Sequence, residues 1–222
     1  MWTVSTLGYD AAVTTTAYHH GNLRAALVET GLAMARESGP DGVALREVAR
    51  RVGVSHNAAY RHFADRDELL SEIAERGMEL LTEAMEMRLA MIPGDLDPLA
   101  RAQARLREVG RAYVEFAMVE PGLFRTAFTS QAHDAKVELV NPPEAGAGPY
   151  GLLNTILDEL VDVGYLASDR RPNADVVCWA GVHGFAVLHL EGPLSLAPAV
   201  EREPSLVRFF DIVERGLGGG PG

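Results

Sequence analysis

Apolar residues recur at steps of three and four along most of this 222-residue chain. That spacing places them on one face of an α-helix. No segment shows the sustained alternation of apolar and polar residues that marks a half-buried strand. The pattern therefore predicts an all-α fold of about nine helices.

Caps and helix breakers set the predicted boundaries. Asn22, Ser55 and Asp65 can each cap a helix that starts after them, and Gly53 can end one. The predicted helices cover residues 23–38, 45–52, 56–62, 66–92, 99–120 and 122–128, with further helices around 153–163, 176–190 and 206–213. Residues 131–151 hold three prolines and predict a loop, and residues 1–17 predict a disordered arm.

The net charge of −11 argues at first against a nucleic-acid partner. The charges are unevenly distributed, however. Residues 42–66 hold five arginines against two acids, whereas residues 77–222 hold 21 acids against 12 basic residues. A DNA-binding segment inside an acidic protein is therefore consistent with the composition.

Other bulk features exclude several classes of protein. No apolar run approaches the ~18 residues of a membrane span. The first 17 residues contain Asp10 and no Lys or Arg, so they do not match a secretory signal, and we expect a cytoplasmic protein. The single cysteine, Cys178, excludes an intramolecular disulfide and a thiolate metal cluster.

The segment ALREVARRVGVSHNAAYRHF has the layout of a helix-turn-helix, with two short helices on either side of Gly53. Ala59 and Phe63 are four residues apart, so they share one face of the second helix and can pack inward. The opposite face then presents side chains that can hydrogen-bond to bases or phosphates. The candidate DNA-binding residues are Arg46, Ser55, His56, Asn57, Tyr60, Arg61, His62 and Arg66. The alternative is that these arginines form an ordinary solvated helix face.

Residues 20–70 resemble the DNA-binding domain of the TetR/AcrR regulators, through the Gly-Val-Ser turn, the Tyr-x-His-Phe end and the Asp-Arg-Asp-Glu-Leu-Leu entry to the fourth helix. The resemblance implies phosphate contacts by Tyr60, His62 and Arg66. It implies base contacts by His56, Asn57 and Arg61. Two residues depart from the family pattern. Ala44 stands where a Ser or Thr cap is usual, which leaves Glu47 with half a capping box. Asn57 stands where a small residue is commoner, and it can bind adenine.

The sequence CWAGVHGF resembles the Trp-His-Gly signature of one subgroup of TetR C-terminal domains. The resemblance implies a homodimer through the last two helices, a pocket for a small apolar effector, and repression that the effector releases. It also implies three parts: an arm at residues 1–17, a helix-turn-helix domain at 18–66, and a ligand-binding and dimerisation domain at 67–222.

Trp179 and His183 lie four residues apart, so both can line that pocket. A core histidine satisfied by a backbone carbonyl is the competing interpretation. Phe116, Phe124 and Phe128 are candidates for the apolar wall, although aromatic residues at helical spacing also suit a plain core. A metal site is rejected because His183 and His189 face different sides of a helix, and no cofactor is expected.

The sequence contains no nucleophile elbow, phosphate loop, paired buried carboxylates or zinc spacing, so we expect no enzymatic activity. The predicted function is a repressor whose two recognition helices enter successive major grooves of a palindromic operator, about 34 Å apart. Ligand binding is expected to change their separation through the fourth helix, which joins the module to the pocket. Two alternatives stay open: a DNA-binding dimer without an effector, and a helical carrier or enzyme.

Overall fold

The computed structural model describes residues 23–134 and 148–218. Within these ranges the chain forms nine α-helices and no strand. The helices are α1 (Leu23–Ser38), α2 (Leu45–Val52), α3 (His56–Ala59), α4 (Arg66–Ala90), α5 (Pro98–Val119), α6 (Pro121–Asp134), α7 (Gly148–Asp162), α8 (Ala174–Leu190) and α9 (Ala199–Gly218). Single 3₁₀ turns occur at Pro40–Gly42 and Ser168–Arg170.

Side-chain caps start three of these helices. The Ser55 hydroxyl accepts a hydrogen bond from the Ala58 amide at 3.2 Å, the Asp65 carboxylate accepts from Glu68 at 2.9 Å, and the Asp97 carboxylate accepts from Ala100 at 3.0 Å. At the end of α2, Gly53 adopts a left-handed conformation with φ 81°. This turn redirects the chain from α2 into α3.

The first three helices form a small module around a buried centre, in which Leu27, Val48 and Phe63 have no exposed side-chain surface. Helix α4 extends from this module into the larger helical part of the chain, where it packs against α5, α6 and α7. The N-terminal end of α6 packs in turn against the C-terminal end of α1. The module therefore contacts the rest of the protein through both α4 and α6.

The described residues confirm the all-α prediction and the order of the helices. Several boundaries were wrong, and α9 extends beyond the predicted 206–213 at both ends. Regular α-helix ends at Ala59 in α3, and looser turns continue to Phe63. Helix α6 reaches Asp134 and α7 begins at Gly148, so the predicted 131–151 loop is too long at both ends. Its centre, the 1–17 arm and Asn22 lie outside the described residues.

The last two helices leave apolar side chains on the surface of the single chain. These exposed residues are Val176, Val177, Leu188, Val207 and Ile212. Helix α8 is therefore not covered on both sides within one chain. No helix in the described part of the protein is long and apolar enough to cross a membrane.

Candidate DNA-binding surface and ligand cleft

Helix α3 is oriented by two residues that are fully buried, Ala59 and Phe63. Because they anchor one face of this short segment, the opposite face projects into solvent. Asn57, Tyr60 and Arg61 are all exposed there. The side chains of Asn57 and Arg61 make no hydrogen bond to any residue that the structure describes, so their donors are available to a partner molecule.

A side-chain contact joins α2 to α3 at this surface. The Arg46 Nε donates to His56 Nε2 at 3.0 Å, and the His56 ring lies against the Tyr60 ring with centroids 4.3 Å apart. Since His56 Nε2 accepts this bond, the ring proton lies on Nδ1. Arg46, His56 and Tyr60 thus form one connected group beside Asn57 and Arg61.

The other arginines of α2 are paired with acids. Glu47 accepts from Arg50 Nη2 at 2.6 Å, and Arg51 Nη1 lies 3.0 Å from Glu37. The Arg50 hydrogen bond lowers the pKa of Glu47 from 4.5 to about 2. The Glu47 carboxylate therefore serves Arg50 rather than completing a capping box, and Ala44 starts α2 without a side-chain cap, as predicted.

Arg66 occupies a structural position at the start of α4. Its Nε donates to the Val43 carbonyl at 2.7 Å, and its Nη2 donates to the Pro40 carbonyl at 2.6 Å. These bonds fasten α4 to the turn that precedes α2. The implied role of Arg66 as a phosphate ligand stays a prediction, with Nη1 as the nitrogen not committed to these carbonyls.

Arg24 of α1 contacts both the end of the α3 segment and α4. Its guanidinium lies 4.4 Å above the Phe63 ring, hydrogen-bonds to Glu72 at 2.9 Å through Nε, and donates to the His62 carbonyl. The end of the α3 segment is thereby tied to both α1 and α4. The His62 side chain is half-buried, and Ser55 uses its hydroxyl as a helix cap.

A cleft of about 230 Å³ lies between α6 and α8. It is lined by Phe124, Arg125, Phe128, His183, Val187, Leu190 and Glu191. Three of the five predicted pocket residues are therefore at its wall. Neither Phe116 nor Trp179 lines the cleft. Phe116 lies in the buried core, and Trp179 contacts Tyr113 and His183.

Tyr113 on α5 connects Trp179 and His183 beneath the cleft. Its buried hydroxyl accepts from Trp179 Nε1 at 3.3 Å and lies 2.7 Å from His183 Nδ1. Burial raises the pKa of Tyr113, so this hydroxyl keeps its proton. Burial also lowers the pKa of His183, which favours the neutral imidazole. The alternative interpretation of His183 was a core histidine bonded to a backbone carbonyl. In the structure His189 has such a partner, because its Nδ1 lies 2.9 Å from the Phe185 carbonyl oxygen.

The rim of the cleft carries an ion pair between Arg125 of α6 and Glu191 just after α8. Neither residue was predicted to line a pocket, and no functional role was predicted for Tyr113. The tyrosine among the apolar residues of α5 was the available indication, because a buried hydroxyl needs a hydrogen-bonding partner. Within the described ranges no cluster of His, Cys, Asp or Glu is arranged to hold a metal ion.

A three-helix module with a left-handed glycine turn and a polar, solvent-facing third helix, joined to a larger helical part, defines a DNA-binding regulator of the helix-turn-helix class. Two family profiles match this chain. Residues 27–73 match "Bacterial regulatory proteins, tetR family", and residues 106–211 match "Tetracyclin repressor-like, C-terminal domain". The chain belongs to the TetR family of transcriptional regulators, a family made up of regulators and not enzymes.

Individual proteins show the same similarity. The uncharacterized HTH-type transcriptional regulator YobS of Bacillus subtilis (strain 168) is 25% identical over 162 residues, which cover 73% of this chain and 76% of that protein. A protein of unknown function from Rhodococcus sp. RHA1 is 29% identical, with a TM-score of 0.70 over 91% of this chain and 99% of that one. A TetR variant from Acinetobacter baumannii AYE in complex with minocycline shares the fold, with 15% identity and a TM-score of 0.59 over 86% and 93%.

Proposed function

We propose that this chain acts as a homodimeric repressor that binds a palindromic operator through α3 and leaves it when a small molecule occupies the cleft between α6 and α8. The observation that carries the DNA-binding part is the arrangement of α3. Ala59 and Phe63 are buried and fix the inner face of this segment. Asn57, Tyr60 and Arg61 are exposed on its outer face.

The proposed contacts follow from donor chemistry. Asn57 and Arg61 have unengaged donors that suit base edges, and Arg46 adds a guanidinium held by His56. The Tyr60 hydroxyl, the His62 ring and Arg66 suit phosphates. Ser55 shapes the start of α3 as its cap. This small basic surface offsets the acidic charge of the whole chain where DNA approaches.

Dimerisation is proposed through α8 and α9. Their exposed apolar residues, Val176, Val177, Leu188, Val207 and Ile212, would leave water if these helices packed against a second copy. A two-fold dimer places two α3 segments to face two half-sites, which accounts for a palindromic operator. We place the boundary between the DNA-binding and the larger domain near residue 66, where α4 begins.

Helix α6 offers a path from the cleft to the DNA-binding module. Phe124, Arg125 and Phe128 line the cleft, while Gly122, on the same helix, lies against the Ala35 carbonyl at the end of α1. Arg36 Nε also bonds to Glu120 at 3.2 Å. A ligand that displaces α6 would therefore move α1 and change the separation of the two α3 segments. The role requires no catalysis, and it places the protein in the cytoplasm with the chromosome.

The test is selection of a binding site from randomised duplex DNA, followed by affinity measurements over a range of salt concentrations. A phosphate-binding protein gives a steep fall of affinity with salt. Arg46→Ala and Tyr60→Phe should both weaken binding to the selected site. Wild-type affinity in both variants, or a salt slope near zero, would contradict these contacts.

A further inference from the structure

The side chains that line the cleft between α6 and α8 restrict the class of ligand that can bind there. Its walls are Phe124, Phe128, Val187 and Leu190, and the rings of Phe124 and His183 stack at 5.6 Å with an angle of 26°. Phe128 meets His183 edge-on at 4.9 Å. Aromatic rings in the wall of a cleft favour a ligand that is itself aromatic.

Hydrogen bonding fixes the tautomer of His183, a polar residue in this wall. The Trp179 indole can only donate, so the Tyr113 oxygen accepts from it and the Tyr113 proton turns to His183 Nδ1. His183 Nδ1 therefore accepts, and its ring carries the proton on Nε2. Nε2 has no hydrogen-bonding partner within the described part of the chain. His183 thus brings a single unpaired N–H donor to the cleft.

The charges at the cleft cancel. Among the described residues that line it, only Arg125 and Glu191 are charged, and they are bonded to each other at the rim. An anionic or cationic ligand would have to break this pair or enter the apolar interior without a counter-charge, and both are unfavourable. The cleft therefore discriminates against charged ligands.

The size of the cleft is sufficient for one aromatic ring. An apolar cavity of roughly 150 Å³ accommodates benzene in another protein, and this cleft measures about 230 Å³.

We propose that the cleft binds a neutral, single-ring aromatic molecule that carries a carbonyl-type acceptor, with the ring packed against the Phe124–Phe128 pair and the acceptor on His183 Nε2–H. This inference rests on the proposed ligand-responsive function for its biological meaning, but the binding itself is measurable without DNA. Tyr113 is a positioning residue, because it acts on the ligand only through the His183 tautomer.

The experiment compares four probes of similar size on the full-length protein without DNA, by ligand-observed NMR titration. Acetophenone is the neutral aromatic ketone, isopropylbenzene lacks the acceptor, benzoate is an anion, and 1-phenylethylamine is a cation. Acetophenone should bind roughly tenfold more tightly than isopropylbenzene, as expected for one added hydrogen bond. The two charged probes should bind more weakly than acetophenone.

The His183→Phe variant keeps a ring in the cleft and removes the donor, so acetophenone and isopropylbenzene should bind it equally. In the wild-type protein, the ¹⁵N signal of His183 Nε2 should shift with acetophenone and not with isopropylbenzene, which tests the same bond without a variant. The proposal is overturned if no probe binds, if the hydrocarbon matches the ketone, or if a charged probe binds best.

Operator affinity measured without probes separates this result from the proposed function. Loss of the cleft preference with normal operator binding overturns only the ligand class. Failure to bind any DNA site overturns the repressor proposal, while the probe titration still decides what the cleft accepts.

Discussion

Gly122 lies directly against the Ala35 carbonyl. A Cβ built on Gly122 would sit 2.0 Å from the Ala35 oxygen and 2.8 Å from the Arg36 oxygen. Both are backbone atoms, so the contact cannot be relieved by rotation of a side chain. The start of α6 and the end of α1 are consequently in close backbone contact, at the point where the larger domain meets the DNA-binding module.

Gly122→Ala should therefore force α1 and α6 apart. We expect the free energy of unfolding to fall by about 1–3 kcal/mol, as in other overpacked sites, and operator affinity to change because α1 supports α3. Gly184→Ala on α8 is the matched control, since a Cβ there meets no atom within 4 Å. Denaturant unfolding and operator binding of both variants give the measurement. Equal behaviour of the two would show that the close contact has no mechanical importance.

Arg46 and His56 should act on DNA as a unit, because the Arg46 Nε–His56 Nε2 bond aligns the guanidinium. The double variant Arg46→Ala with His56→Phe should lose less operator-binding free energy than the sum of the losses in the two single variants. The expected coupling is about 0.5–3 kcal/mol. The phenylalanine keeps a ring against Tyr60 and removes the acceptor. Additive losses would mean that the two side chains contact DNA independently.

Glu47 should give the module a stability that depends on pH. The pKa of Glu47 falls from 4.5 to about 2 because Arg50 bonds to the carboxylate. The folded chain therefore stays charged at Glu47 where the unfolded chain takes up a proton. Stability from this pair is complete above pH 4.5 and is lost as the pH falls towards 2.

Glu47→Gln should be least different from the wild-type protein in acid and most different near neutral pH. Because the pair is exposed, about 1 M salt should shrink the difference. Glu29→Gln serves as the control, since Glu29 is exposed and forms no ion pair within the described residues. Thermal unfolding across this pH range is the readout. A constant difference between Glu47→Gln and the wild type at every pH would refute the assignment.

Tyr113→Phe should allow His183 to populate both neutral tautomers. The variant leaves Trp179 Nε1–H and His183 Nδ1 without their partner, so we expect a loss of about 1–3 kcal/mol in unfolding free energy. Histidine ¹⁵N NMR should show the Nε2–H form of His183 in the wild type and a mixture in the variant. Tyr165→Phe, which removes a bond to the Glu214 carbonyl, should leave that tautomer unchanged. An unaltered His183 spectrum in Tyr113→Phe would contradict the hydrogen-bond chain.

Features set by neighbouring residues were predictable from the sequence. The Ser55 and Asp65 caps, the Gly53 turn and the burial of Ala59 and Phe63 all depend on positions one to four residues apart. The end of α3 was misplaced because its last residues continue in looser turns that periodicity does not distinguish from a helix.

Contacts between distant segments were not predictable in this way. Tyr113 and His183 are 70 residues apart, and nothing local pairs the tyrosine hydroxyl with that ring. The same holds for Gly122 against Ala35, where a helical glycine is informative only once the neighbouring helix is known. Arg66 illustrates a related limit, because its carbonyl partners at Pro40 and Val43 emerge only when the module has folded.

The exposed donors of α3 are central to this account, and base-resolved specificity tests them most directly. The measurement compares the sites that wild-type, Asn57→Ala, Arg61→Ala and Arg101→Ala proteins select from randomised duplex DNA, with affinities for the wild-type site. Arg101 is an exposed arginine on α5, so its variant carries the same change of charge as Arg61→Ala away from the proposed DNA-binding and dimer surfaces.

Asn57→Ala and Arg61→Ala should each relax the preference at one or two base pairs in each half-site and weaken binding by about 1–3 kcal/mol, whereas Arg101→Ala should match the wild type. If all four proteins select the same site with the same affinity, α3 does not read the operator and the account is wrong.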